Sequence, residues 1–536
     1  MSEHTRRQVL RTAAVAAGLA AAQTVVAPAA AAGGFPAGGA AGGCPPPIGP
    51  VTVRPADVRY EELVQGRNKR YAASPDYVRV VGSTQQVVQA VHDAVRAGQR
   101  VVVRSGGHCL SDFVDNPAVQ VIIDLAGMTQ VYFDPARNAF AVEAGATLAE
   151  LHRRLFFGWG VTVPAGWCPM VGVGGHIAGG GYGVLSREYG LVADHLDAVE
   201  VVVTDRRGRV RSVVATRDPA DPHHDLWWAH TGGGGGNFGI VTRYWLRTPG
   251  VTGTDPGTLL PPAPAKILDY SCTWPWEGMD EQKFARLVRN HSQWCEENAA
   301  PGLASSRLYG ALDLNRRQTG AHMLIGQVFG PDAEQLLDDF IAALSDGVGA
   351  PQDVRKEWKP WMTAVLGGAD DSQSVRFRMK SGYLRSRFTE TQVSTIYRLL
   401  TQPGDEGLLV GTVGLSTYGG KINTVPPTAT ATSHRDAVIG LIYLAAWTDP
   451  ALDAAHDAWI RDFYHQVYAD TGGVPHPLDG AYINYPDNDL ADPAVNRSGI
   501  PWSTLYYQDN YPRLQRVKAH YDPLDVFHHA LAVRPA

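Results

Sequence analysis

The chain has 536 residues, with 47 Lys and Arg against 53 Asp and Glu and a formal charge of −6 at pH 7. That length exceeds one ordinary hydrophobic core, so at least two domains are expected. The acidic balance, with no basic run after the first few residues, argues against a nucleic-acid or anionic-membrane partner.

In chain order, Thr5-Arg6-Arg7-Gln8-Val9-Leu10 precedes an alanine-rich apolar stretch and small residues near Ala29 to Ala32. This is the pattern of a cleavable twin-arginine export signal over 1–32. The apolar run is too short and too rich in alanine for a membrane anchor. The twin-arginine route carries folded proteins and so suits a cofactor inserted beforehand, which makes the protein secreted or surface-bound. The Gly- and Pro-rich 33–54 reads as a flexible leader.

A first domain is expected over 55–250. Residues 77–81 predict a strand. Ser83 and Gln86 predict a capping box that opens a helix with Val87, Val88, Val91 and Val95 on one face and Gly98 at its end. Strands are predicted over 101–104, 121–125 and 140–142, and Thr147 with Glu150 caps a helix ending near Phe157. Another strand, 161–163, leads toward Cys168, and 199–204 with 210–214 form a hairpin about Arg206-Arg207-Gly208.

Residues 251–481 change texture. Helices over 281–298 and 333–344, and strands such as 408–415 and 440–446, predict a substrate domain in which an antiparallel sheet is backed by helices. The tail, 482–536, is dense in Tyr and Trp, and Tyr521-Asp522-Pro523 turns it back onto the earlier core. Five cysteines leave an odd one in any full pairing; Cys272 and Cys295 either bridge or remain buried thiols. His176, His223 and His224 lack a carboxylate framework, so no metal is expected.

Three glycine-rich segments carry the chemistry: Arg104-Ser105-Gly106-Gly107-His108-Cys109, the run from Gly166 through Cys168 to His176, and Gly232 to Gly236 before Asn237-Phe238-Gly239-Ile240-Val241-Thr242. The match to G-x-G-x-x-G at Gly234, Gly236 and Gly239 follows a helix and enters a strand, the reverse of the dinucleotide fingerprint, and no G-x-x-x-x-G-K-[ST] occurs. Amides of such loops cradle a pyrophosphate, and bare glycines let a flat ring lie against the chain. An imidazole and a thiol in these settings read as two attachment points for a flavin.

These segments, followed in order by Tyr482-Ile483-Asn484-Tyr485-Pro486-Asp487 and Tyr521-Asp522-Pro523, resemble the berberine bridge enzyme-like branch of the vanillyl-alcohol oxidase superfamily from about residue 60 to the end. Asp112-Phe113-Val114-Asp115-Asn116-Pro117 and Asp221-Pro222-His223-His224-Asp225-Leu226-Trp227-Trp228 are especially similar to actinobacterial bicovalent natural-product oxidases, among them the hexose oxidases of teicoplanin-like glycopeptide biosynthesis. The resemblance implies an α+β fold: a vanillyl-alcohol oxidase-type FAD-binding domain plus an α/β substrate domain. It implies FAD bonded at its 8α-methyl to His108 and at ring carbon 6 to Cys168. Arg104, Ser105, Gly106, Gly107, Val171, Gly172, Gly174, Gly175, His176, Asn237, Gly239, Ile240 and Val241 would complete the cofactor site. A doubly tied flavin is a stronger oxidant and leaves its active face open to bulky substrates.

The implied activity is oxidation of an alcohol on a sugar or glycosylated natural product, by hydride transfer to flavin N5 with a tyrosine base. Reoxidation by O2 would give H2O2, and the small Val171 is of the kind associated in this branch with oxygen reactivity. Tyr485 is the expected base and Tyr482 its orienting partner. On a regular strand the two would face opposite ways, so the segment must bend for both to reach one substrate. Tyr418 is expected as a second phenol, with Lys421 supplying positive charge, because a phenolate near neutrality needs a shift of roughly three units, about 4 kcal/mol. The alternatives are an oxidative cyclase or dehydrogenase of a polyketide or alkaloid, and a secreted flavin-fold glycan-binding protein without turnover. No stable membrane association is expected after signal removal.

Overall fold

The computed structural model describes residues 48–367, 375–404 and 407–536. The expected export signal, most of the leader and Cys44 lie outside them. No described helix is long and apolar enough to cross a membrane.

A four-stranded sheet runs Val51–Val53, Tyr77–Val80, Val121–Asp124, Val101–Arg104, with the last three strands parallel. Parallel neighbours need a crossover, and the helix Thr84–Ala97 supplies it. Its cap is half the expected box: Ser83 accepts from the Gln86 amide, but the Gln86 side chain accepts from Gly82 N at 2.7 Å. Gly98 closes the helix at φ 64°, and the buried face is Val87, Ala90, Val91 and Ala94, with Val88 and Val95 half-buried beside it. The strand Val101–Arg104 delivers the chain directly to His108.

The second sheet is antiparallel, in the order Val131–Asp134, Ala139–Glu143, Ile240–Leu246, Leu196–Thr204, Val210–Thr216, and includes the expected hairpin. The helix Leu148–Trp159 carries the full reciprocal capping box of Thr147 and Glu150. The strand expected over 161–163 does not form; Val161 makes only an isolated bridge to Pro262. Val161 and Val163 are fully buried, so this run is apolar because it crosses the core on its way to the Cys168 loop.

The third sheet has seven strands, all neighbours antiparallel: Gln352–Pro360, Lys266–Pro275, Ala321–Val328, Leu308–Asn315, Val410–Thr417, Ile439–Trp447, Arg376–Leu384. Helices Glu281–Glu297, Ala333–Ser345 and Asp453–Val467 back one face. Alternation along a strand separates that face from the other. Leu308, Leu312 and Leu314 join the helix-backed core, and Tyr309, Ala311 and Asp313 line a cavity on the opposite side. Cys272, on Lys266–Pro275, and Cys295, on Glu281–Glu297, are separate buried thiols, not a disulfide, and burial pushes both up to about 12.

The tail returns to the second sheet. Lys518, fully buried on the helix Tyr511–Tyr521, donates to Asp522 at 2.6 Å and to the carbonyls of Asn237 at 2.8 Å and Phe527 at 2.6 Å. Asp522 in turn accepts from the Thr204 hydroxyl at 3.1 Å.

Candidate functional site

A cavity of about 440 Å³ lies between the glycine-rich loops and the open face of the seven-stranded sheet. Its size is that of an ordinary small-molecule site. His108 and Cys168 meet in its wall, with the sulfur 3.6 Å from His108 Nε2. Sixty residues apart in sequence, they are joined because their loops abut backbone to backbone. A Cβ on Gly172 would stand 2.2 Å from Gly106 N, and one on Gly106 would stand 2.4 Å from Gly172 N. The Ser105 hydroxyl ties the seam to Ala144 O at 2.6 Å, the carbonyl that also accepts from Gly174 N at 3.1 Å.

Other expected cofactor residues shape these loops. Arg104 lines the cavity, reaches Glu62 O and Asp124, and packs on Gly107, which needs its φ of 67° there. His176 Nε2 accepts from Gly166 N at 3.2 Å and braces the Cys168 loop as a neutral ring, its pKa lowered by burial to about 4. The Asn237 amide donates to Gly233 O and Gly234 O, and its oxygen accepts from Val533 N, so it folds the third loop and clips the tail to it. Gly239, at φ 154°, lets the chain pass Val202 O; Val241 lines the cavity, whereas Ile240 is buried in the core. Val171 also lines the cavity.

The loops fit a flat cofactor. A Cβ on Gly175 would meet nothing within 4 Å, so the cavity is open over it, and one on Gly235 would touch only the Gly175 Cα at 3.7 Å, so these two loops approach each other with no side chain between them.

The tyrosine segment bends, as expected from its spacing. Tyr485 N–H donates to Tyr482 O at 2.9 Å, closing a turn that sets the two rings 5.1 Å apart and edge to face, both at the cavity. The Asn484 amide donates to the Tyr482 hydroxyl at 2.9 Å and to His176 O at 3.0 Å, linking this turn to the Cys168 side. Burial, followed by the nearby Cys168 thiol, pushes Tyr485 up to about 12, and burial also holds Tyr482 above the ordinary phenol range.

Tyr418 belongs to the same group of rings. It lies 5.1 Å from Tyr182 and 5.2 Å from Tyr383, and Tyr383 lies 6.2 Å from Tyr482. Burial pushes Tyr418 up to about 12, while the buried Arg435, paired with Asp194 at 2.7 Å, pulls the other way. The cation near Tyr418 is therefore Arg435, not the expected Lys421, whose side chain is exposed. Tyr182 and Tyr383 were not expected; an aromatic directly after Gly179-Gly180-Gly181 is a signal that singles out Tyr182. Of the histidines, His223 bonds the Tyr521 hydroxyl at 2.7 Å and His224 the Thr216 carbonyl at 3.3 Å.

Family models match at both ends of this site: one described as FAD binding domain at residues 75–213, and one described as berberine and berberine like at residues 481–534. Over 492 residues the chain is 52% identical to the aclacinomycin-N/aclacinomycin-A oxidase of Streptomyces galilaeus, covering 90% of each chain. The chain belongs to the berberine bridge enzyme-like family of FAD-linked oxidases. The hexose oxidase of Chondrus crispus is 31% identical over 522 residues, covering 88% of this chain and 92% of that one. The crystal structure of a glycopeptide hexose oxidase complexed with teicoplanin superposes with a TM-score of 0.88 at 50% identity, covering 92% of this chain and 100% of that one. This berberine bridge enzyme-like oxidase thus has a vanillyl-alcohol oxidase-type fold around an FAD site.

The cavity's sheet wall holds one acid, Asp313, 5% exposed. Burial pushes it up to about 7. Between pH 4 and 7 the folded chain keeps a proton that the unfolded chain has lost, so this group makes stability fall as pH rises. Asp313→Asn should therefore gain in melting temperature over the wild type on going from pH 4.5 to 8. An equal difference at both values would show that the carboxylate is not held in an apolar setting.

Proposed function

We propose that this protein is an exported oxidase whose FAD is bonded to both His108 and Cys168 and which oxidises an alcohol on a sugar or glycosylated natural product, in antibiotic biosynthesis. The observation that carries the reading is the turn that brings Tyr485 and Tyr482 together beside the paired His108 and Cys168. When bound, FAD would supply the hydride acceptor and pass the two electrons on to O2, giving H2O2. Tyr485 takes the hydroxyl proton of the substrate, and Tyr482, held by Asn484, orients that hydroxyl. The small Val171 leaves room for oxygen in the wall, and the bent segment presents both phenols to one substrate face. The relatives named as hexose oxidases support a sugar-borne alcohol, and the twin-arginine motif supports export.

Acid precipitation of the wild type and of His108→Ala, Cys168→Ala and the double variant tests the attachment. Only the double variant should release its yellow chromophore into the supernatant. Release from the wild type would refute the two bonds, and absence of peroxide across a panel of oligosaccharides and glycosylated metabolites would refute the oxidase reading.

A further inference from the structure

The Asp313 carboxylate forms no hydrogen bond or ion pair with any described residue, although it is nine-tenths buried. Its room is made by Gly414, the residue opposite it in register, where a Cβ would stand 2.8 Å from Asp313 Oδ1. Of the cavity residues nearest it, Ala311, Gly414 and Ile442 are apolar, the Thr412 hydroxyl donates to Leu314 O at 3.3 Å and the Ser416 hydroxyl bonds Tyr309 at 3.3 Å. The Arg67 guanidinium lies over the Phe377 ring at 5.9 Å. The cations of the nearby strand Arg376–Leu384 are engaged elsewhere. Arg378 and Lys380 both pair with Asp487 and Asp489.

Such a carboxylate has a large desolvation cost and no compensation among the described residues. A hydroxyl from a ligand would satisfy one lone pair and leave the charge, whereas an ammonium satisfies both. Asp313 lies four residues along the strand from Tyr309, or about 13 Å. Tyr309 packs on Trp167, next to Cys168, at 5.3 Å. The group that Asp313 receives is thus not the hydroxyl of the oxidised carbon but one further along the substrate, at a distance over which the Asp313 charge still raises the Tyr309 phenol.

We propose that Asp313 is a specificity residue that binds a protonated amino group, as on an amino sugar, carried by the part of the substrate distal to the oxidised alcohol. This deepens the proposed oxidation of glycosidic substrates, and the two readings fail separately: peroxide formation tests oxidation, while binding needs no turnover. The test titrates the flavin absorbance of the holoenzyme with the β-1,4-linked trisaccharide of glucosamine and with its fully N-acetylated counterpart. Wild type should bind the amine about tenfold more tightly or better. Asp313→Asn should bind the two alike, by loss of affinity for the amine alone, and Asp313→Ser provides the same comparison if the first variant does not fold. Equal affinities in the wild type, no binding of either probe, or a preference that survives both substitutions would overturn the assignment.

Discussion

Tyr485→Phe is expected to lower turnover by about 10² to 10⁴ while leaving the flavin absorbance and the proposed acid-stable attachment unchanged. The substitution removes a hydroxyl and little else: the ring stays in its edge-to-face contact with Tyr482, and the turn is closed by backbone atoms. The loss should fall on kcat and on kcat/KM together, as for a group acting in the transition state. Two causes raise the Tyr485 pKa, burial first and the Cys168 thiol second. A thioether cannot ionise, so the attachment proposed for Cys168 removes the thiolate that raises Tyr485 and leaves its phenol easier to ionise near neutrality. With a raised phenol, wild-type kcat/KM should climb with pH across the neutral range, and the Phe variant should lose this limb. Tyr482→Phe should cost less, since its hydroxyl is held by Asn484 and only orients. Near-normal turnover of Tyr485→Phe would remove it from the role.

What the sequence made legible followed from how locally each feature is encoded. Helix ends were readable because a cap is a contact three residues long: Thr147 and Glu150 close the box as their spacing requires. The closeness of His108 and Cys168 was readable because each lies among glycines that allow close approach, as the seam of Gly106 and Gly172 shows. The run 161–163 misled because three apolar residues satisfy a strand pattern and a core crossing equally. The sheet wall of the cavity was not legible at all. Leu308–Asn315 alternates in polarity, but it is buried on both faces, so the polar face that alternation predicts as solvent-exposed is instead a cavity wall, and nothing in the sequence marks Tyr309 or Asp313 as facing a ligand. Arg435 was missed for Lys421 because proximity to Tyr418 in sequence is not proximity in space; a 3-10 turn at Gly420–Thr424 carries Lys421 outward.

The bend that makes Tyr482 and Tyr485 useful must itself be held, and the chain holds it with buried charge. Asp487, two residues beyond Tyr485 and 1% exposed, accepts from Lys380 Nζ at 2.7 Å and from Arg378 at 2.8 Å. Asp489 shares Lys380 at 2.7 Å and takes both nitrogens of a fork from Arg461 at 2.9 Å. Lys380 is 1% exposed and also faces the Tyr464 ring at 5.1 Å. Lys380→Met keeps most of the packing volume but leaves two carboxylates facing an uncharged side chain. Breaking one partner of a buried pair costs about 3 to 5 kcal/mol, and the surviving Arg378 puts this case near the lower end. Burial raises the Asp489 pKa, but the Arg461 hydrogen bond and the Lys380 and Arg378 charges outweigh it and hold the carboxyl well below the usual range. Its stabilisation is therefore present above the unfolded value and lost as pH falls through the folded one. Removing Lys380 raises the folded value, so acid unfolding of the Met variant should begin at a higher pH than that of the wild type. Its kcat should fall even at neutral pH, because the turn carrying Tyr485 loses its anchor while His108 and Cys168 keep theirs. A variant with wild-type acid stability would show that the arginines alone carry the cluster.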